Sequence, residues 1–119
     1  MAEKPILTTR RQDSCFIVEI AGRRISEGPV VDAIQSQLAE LVERDPNRKI
    51  LIDFRQVELM SSATLGVLVR LYRDLAENGG RIVLCGLQPS VRKTFELTRL
   101  DQLFRIEQDV AAGLARLAD

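Results

Sequence analysis

The 119-residue sequence contains no histidine and only two cysteines, and these absences narrow the chemistry open to it. Without histidine the chain lacks the most common general base and the usual orienting partner of a nucleophilic serine. Cys15 and Cys85 each lie in an apolar run, "SCFIVEI" and "RIVLCGL", with no further cysteine at metal-ligand spacing. We therefore expect two buried structural thiols, no bound metal or cofactor, and no enzymatic activity.

Neither sign of charge predominates, since lysine plus arginine and aspartate plus glutamate number 17 each. A chain with equal numbers of positive and negative side chains lacks the net positive electrostatic field that attracts proteins to nucleic acids or anionic membranes. We therefore predict no nucleic-acid partner. No apolar run approaches the roughly 18 residues needed to span a bilayer, and the N-terminus has no apolar signal segment. We expect no membrane insertion, a cytoplasmic location and one domain with a single core.

Apolar periodicity predicts strands that alternate with helices. Strands are predicted near residues 6–12 and 15–21, at 49–54 ("KILIDF"), at 81–86 ("RIVLCG") and in the short segment "LFRIE". Helices are predicted at 30–44, 62–77, from Pro89 onward and at 109–117. The 49–54 run is apolar except for one acid, which indicates a central strand covered on both faces. The sequence thus predicts an α/β domain over residues 14–117, with a mixed sheet of four to five strands and about four helices. It follows an N-terminal segment, residues 1–13, that holds a candidate edge strand.

Two adjacent serines, Ser61 and Ser62, stand where the chain enters the predicted 62–77 helix. The first turn of a helix has N–H groups without partners, and a serine oxygen accepts a hydrogen bond from one of them. One hydroxyl is enough for this N-cap. The other is either an ordinary polar group or a phosphorylation site, because a phosphate carrying about −1.5 to −2 charges is stabilised at the positive end of a helix.

The same helix carries apolar side chains outside its expected core face. With Leu65 and Leu68 turned toward the core, Ala63 and Val67 fall in the polar half and Leu71 falls on its flank. Apolar residues on a polar face either are ordinary or mark a docking strip. Our hypothesis is a partner-binding surface that comprises Ser61, Ser62, Ala63, Thr64, Val67, Arg70, Leu71 and Asp74.

Asp53 and the basic pair Arg92–Lys93 are weaker candidates for a functional role. Asp53 ends the buried strand, where it is either an acid catalyst or a carboxylate that caps the following loop. Without histidine or a second acid in register, the loop cap is favoured. Arg92 and Lys93 begin the third helix, where basic side chains either contact a phosphate or are simply solvated. Solvation is the commoner role for basic residues on an exposed helix face.

The order and spacing of these segments resemble the STAS-domain anti-sigma factor antagonists. That family joins an apolar strand ending in an acid, a D-S-S-G-L-G or S-S-A-G-L type loop, a helix, a "GG" turn, a second apolar strand and a P-x-V-x-x-x-F/L-x-x-x-x-L segment. Here these features fall at 50–53, 61–66, the helix to residue 77, 79–80, 82–84, and Pro89 with Val91, Phe95 and Leu100. The resemblance implies a single STAS domain over residues 14–117.

The resemblance also implies a function, which is partner switching without catalysis. The unphosphorylated protein would bind a serine-kinase anti-sigma factor and free the sigma factor. The kinase would then phosphorylate the protein, and a phosphoserine phosphatase would reset the switch. Counted back from "LG" at 65–66, the family's phosphorylated serine falls on Ser62, with Ser61 as the alternative. The same fold also serves as a non-phosphorylated scaffold subunit of a stress-signalling assembly or a lipid-transport ATPase.

Two departures from the family pattern lie near the candidate site. Thr64 stands where the family usually has glycine, and its β-branched side chain is expected to add bulk beside the phosphoacceptor and narrow the approach of a kinase. The loop that begins at Gly22, "GRRISEGP", has Ser26 and Glu27 where family members often carry an acid. A partner contact made there by an acid is therefore in question.

Overall fold

The computed structural model describes residues 7–12, 14–25, 29–44 and 48–118. The elements follow one another as β1 (Leu7–Gln12), β2 (Cys15–Ile20), β3 (Arg24–Ile25), α1 (Pro29–Arg44), β4 (Lys49–Asp53), β5 (Leu59–Met60), α2 (Ser62–Glu77), β6 (Arg81–Cys85), α3 (Pro89–Leu97), β7 (Arg105–Glu107) and α4 (Val110–Leu117). The alternation of strands and helices predicts an α/β domain, and the structure confirms it.

The main sheet has the strand order β1-β2-β4-β6-β7. Strand β1 pairs antiparallel with β2, and the other neighbours pair parallel. Parallel neighbours require crossover connections, which the helices α1, α2 and α3 supply. The central position of β4 confirms the prediction drawn from its continuous apolar run. Strands β3 and β5 form a separate parallel pair of two residues each, too short to produce a periodicity that the sequence could reveal.

Alternation along the strands divides the interior into two layers. Side chains such as Val18, Ile52 and Leu84 join the larger layer beneath α1, α2 and α3. Their neighbours Ile17 and Leu51 point to the opposite face, which α4 covers. Successive strand residues point to opposite faces, so a strand that is covered on both sides must be apolar at nearly every position. This requirement explains the uninterrupted apolar runs of β4 and β6.

The smaller layer contains both cysteines and depends on a close approach by α4. Cys15 and Cys85 are buried and are not joined in a disulfide, which confirms the prediction of buried structural thiols. Burial raises the pKa of Cys85 to about 12. On α4, Gly113 is buried directly against Leu51, so a Cβ atom at position 113 would overlap the Leu51 side chain. Glycine therefore lets a helix of only 8 residues pack closely on the sheet.

Among the residues that the structure describes, no helix combines the length and the apolar character that crossing a bilayer requires.

Candidate functional site

Ser61 is the N-cap of α2. Its backbone is extended, with φ −90° and ψ 166°, and its side-chain oxygen accepts a hydrogen bond from the backbone N–H of Thr64 at 3.3 Å. Its own N–H donates to the carbonyl oxygen of Ile25 at 2.9 Å, and its carbonyl accepts from the N–H of Leu65 at 3.2 Å. The first of the two serines therefore performs the capping role, and both its backbone and its side chain are committed to the fold.

Ser62 is the first residue of α2, and its side chain is exposed. Within the described ranges of the chain, no hydrogen bond engages its hydroxyl group. This hydroxyl lies at the helix end where backbone N–H groups give a partial positive charge. It can accept a phosphoryl group without breaking the N-cap, because the cap uses a different oxygen.

The structure corrects the expectation that Thr64 crowds the phosphoacceptor. Thr64 is only 1% exposed, and its hydroxyl donates to the Ile25 carbonyl at 3.0 Å. The same hydroxyl oxygen lies 3.2 Å from the Ser61 hydroxyl oxygen. The side chain therefore points into the protein, toward β3, and leaves the outer surface beside Ser62 open. Its burial also removes the Thr64 side chain from the hypothesised partner-binding surface.

Val67 and Leu71 were also placed wrongly by the sequence, because both are buried, at 8% and 4% exposure. Helix α2 packs against the sheet and also against α1, so its buried arc is wider than that of a helix covered on one side. Tyr72 packs against Phe104 on the opposite flank, with ring centroids 5.5 Å apart. Val67 and Leu71 thus belong to the core and do not form an exposed apolar strip.

A different set of residues forms the exposed face of α2. We call the part of this face between residues 62 and 74 the α2 strip, and it comprises Ser62, Ala63, Gly66, Arg70 and Arg73, with exposed Asp74 at its margin. The sequence interpretation missed Gly66 and Arg73 because it centred the core on Leu65 and Tyr72. When the helical period of about 100° per residue is centred instead on the buried residues Thr64, Leu68 and Leu75, Gly66 and Arg73 fall on the exposed face.

An exposed apolar side chain precedes the strip in sequence. Leu59, on β5, is 51% exposed and precedes the N-cap by two residues. The residue before it, Glu58, is held by hydrogen bonds on both sides. The Glu58 N–H donates to the Arg23 carbonyl at 2.7 Å, and the Ser90 hydroxyl donates to the Glu58 carbonyl at 2.8 Å. The segment that leads into Ser62 is therefore fixed by Arg23, directly before β3, on one side and by α3 on the other.

Asp53 is a structural carboxylate, as its favoured interpretation predicts. It is 2% exposed, and its two oxygens accept from the Arg55 N–H at 3.0 Å and the Arg55 Nε at 2.9 Å. Glu19 binds the same guanidinium at 3.1 Å. The Asp53 charge, its hydrogen bond and the Glu19 contact raise the pKa of Arg55. The backbone of Gly86, with φ +72°, lies directly against this ion pair. A Cβ atom at position 86 would be 2.8 Å from Arg55 Cγ and 3.0 Å from Asp53 Oδ1.

The remaining candidates lie on a different helix or outside the described residues. Arg92 and Lys93 are exposed on α3. Ser26 and Glu27, where an acid contact was considered, lie outside the described residues. In the portion of the chain that the structure describes, no three acidic, cysteine or histidine side chains converge as a metal site would require. The α2 strip is distinguished by Ser62 at its head, which presents an exposed and uncommitted hydroxyl at the first residue of a helix.

Comparisons with known proteins agree with this architecture. The family model described as "STAS domain" matches residues 7–113. BtrV of Bordetella bronchiseptica, described as an anti-sigma factor antagonist, is 27% identical over 109 residues, which cover 92% of this chain and 91% of that protein. The solved anti-sigma-factor antagonist domain protein of Planctomyces limnophilus superposes with a TM-score of 0.84 at 20% identity, covering 93% of this chain and 96% of that one. The Bacillus protein SpoIIAA in its phosphorylated form gives a TM-score of 0.66 at 17% identity, with coverages of 87% and 92%.

The chain belongs to the STAS domain family. Anti-sigma factor antagonists are regulatory proteins without enzymatic activity.

Proposed function

We propose that the protein acts by partner switching in the cytoplasm, with Ser62 as its phosphorylated residue. The unphosphorylated form binds a serine-kinase anti-sigma factor and frees the sigma factor, and phosphorylation of Ser62 releases the kinase. A phosphoserine phosphatase resets the switch. The observation that carries this proposal is the division of roles between two neighbouring serines: Ser61 caps the helix, and Ser62 presents an exposed hydroxyl that no described residue engages.

The isolated domain should tolerate a phosphate at Ser62. The added charge would lie at the positive end of α2, where an anion typically gains about 0.3 to 1 kcal/mol. The cap would remain intact because the hydrogen bond from the Thr64 N–H ends on Ser61. SpoIIAA has this fold in its phosphorylated form, which supports the expectation that such a domain stays folded with a phosphate attached.

A docked partner would not tolerate the same phosphate. If the α2 strip lies within the interface, Ser62 is covered on binding, and a dianion without counter-charges is costly to remove from water. The two basic side chains of the strip, Arg70 and Arg73, lie two to three turns along the helix, too far to reach a phosphate at its first residue. Phosphorylation therefore weakens partner binding while the folded domain is preserved.

Two variants of Ser62 test this function against an anti-sigma kinase from the same organism, with ATP. The Ser62→Ala variant should bind the kinase and incorporate no phosphate, whereas Ser62→Asp should bind at least about tenfold more weakly by calorimetry, which is about 1.4 kcal/mol. The matched control is Ser36→Asp, which adds the same charge at an exposed serine of α1. It should leave binding unchanged, because Ser36 lies outside the α2 strip.

Three results would contradict the proposal. These are phosphate found elsewhere than on Ser62, binding that is indifferent to Ser62→Asp, or equal weakening by Ser36→Asp. A stable association with a transporter ATPase that neither Ser62 variant disturbs would instead support the scaffold alternative.

A further inference from the structure

The hydroxyl groups of Ser61 and Thr64 form an ordered pair beneath the first turn of α2. Thr64 has one hydroxyl proton, which it donates to the Ile25 carbonyl at 3.0 Å. The Ser61 and Thr64 hydroxyl oxygens are 3.2 Å apart, and either could be the donor on geometry alone. Because the Thr64 proton is already used, Ser61 must donate in this contact. Thr64 thus holds the Ser61 proton toward the interior.

Ser61 is engaged through its lone pairs as well. Its side-chain oxygen accepts the Thr64 N–H, so one residue, Thr64, occupies both the donor and an acceptor position of the Ser61 hydroxyl. Ser62 carries neither restraint within the described part of the chain. The two serines are chemically identical, but Ser61 is half-buried and hydrogen-bonded, whereas Ser62 is exposed.

We infer that Thr64 is a positioning residue that makes Ser62, and not Ser61, the phosphoacceptor. This inference rests on the proposed function. In the transfer step a kinase base removes the proton of the attacking hydroxyl, and a new bond forms between the serine oxygen and the γ-phosphorus of ATP. The bond from that phosphorus to the β-γ bridging oxygen breaks, and ADP leaves. At Ser62 the proton and lone pairs are accessible. At Ser61 the kinase must first break the hydrogen bond that the Ser61 hydroxyl donates to Thr64.

A Ser62→Ala background tests the inference without having to distinguish phosphate on adjacent serines. In that background Ser61 is the remaining serine of the pair, and we expect negligible phosphate incorporation. Adding Thr64→Val keeps the β-branched shape but removes the hydroxyl, so the Ser61 proton is released. We expect the initial rate of incorporation on Ser61 to rise about tenfold, which corresponds to the loss of one hydrogen bond. Adding Thr64→Ser instead retains the hydroxyl and should leave the rate low.

A matched control separates positioning from loss of stability. Val67→Ala in the same background removes buried apolar contacts from α2 without touching the hydroxyl pair, so it should lower the melting temperature without raising incorporation on Ser61. Thermal melts confirm that each variant is folded. If Thr64→Val fails to fold, Thr64→Ala removes the same hydroxyl and carries the same expectation.

The outcomes distinguish this inference from the proposed function. Equal, low rates for the Thr64→Val and Thr64→Ser combinations would overturn the inference and leave phosphorylation of Ser62 in the unmodified chain standing. Incorporation on Ser61 with Thr64 present would also overturn it. An unmodified chain that takes no phosphate on either serine would overturn the proposed function, and the inference with it.

Discussion

The two adjacent serines should differ sharply in their effect on stability, although each is changed to alanine in the same way. Ser61→Ala removes the oxygen that accepts the Thr64 N–H and the hydroxyl that contacts Thr64 Oγ1. Ser62→Ala removes an exposed hydroxyl with no hydrogen bond to any described residue. The pair therefore isolates the capping interaction, since the two positions share one helix end and one substitution.

The expected difference follows from the contacts of each side chain. Loss of an N-cap typically lowers the free energy of unfolding by about 0.5 to 2 kcal/mol. The typical loss is about 1 kcal/mol, and the 3.3 Å cap hydrogen bond, which is long, gives no reason to expect more. Ser62→Ala should change the free energy of unfolding by less than about 0.5 kcal/mol, because substitutions of exposed residues without such contacts rarely have a larger effect. For a chain of this size, about 1 kcal/mol corresponds to a shift of roughly 3 to 5 °C in melting temperature.

Urea denaturation followed by circular dichroism measures both variants on one scale, provided that the slope of the unfolding free energy against urea is unchanged. The Ser61→Ala curve should move to a lower midpoint, and the Ser62→Ala curve should overlay that of the unmodified protein. Equal destabilisation by the two changes would refute the assigned division of roles. A larger loss for Ser62→Ala would show that Ser62 is the cap.

Three further predictions concern the core. Gly113→Ala should lower the free energy of unfolding by about 1 to 3 kcal/mol in urea melts, because the new Cβ displaces buried Leu51; an unchanged midpoint would show that α4 sits farther from the sheet. Val67→Ala should lower the free energy of unfolding by about 1 to 3 kcal/mol in the same urea melts, whereas Arg70→Ala at the exposed face should change it by less than about 0.5 kcal/mol. The reverse order would indicate that Val67 is exposed, as the sequence had suggested. The Cys85 thiol ionises near pH 9 when unfolded and near 12 when folded, so stability should fall as pH rises above 9. In urea melts at a series of pH values above 9, Cys85→Ala should reduce this loss of stability by about 1.4 kcal/mol per pH unit. If the free energy of unfolding falls with pH equally steeply in the variant and the unmodified protein, the raised pKa of Cys85 is contradicted.

Most of the fold could be predicted from local patterns. The apolar runs of β4 and β6 identify central strands, because a strand covered on both faces needs apolar side chains at nearly every position. Pro29 and Pro89 mark helix starts, since proline fits the first turn. The two-residue strands β3 and β5 could not be predicted in this way, because their pairing depends on residues 35 positions apart. Short strands of that kind carry no periodic signal of their own.

The sequence by itself determined that α2 begins at a pair of serines and that one hydroxyl is enough to cap it. Only the tertiary structure decided which serine does so, because the choice depends on Ile25, a distant residue whose carbonyl accepts from both the Ser61 N–H and the Thr64 hydroxyl. It also decided that Val67 is buried, since α1 covers a flank of α2 that a single amphipathic period assigns to solvent. Periodicity records how polar a side chain is, whereas the packing of neighbouring elements determines which side chains meet.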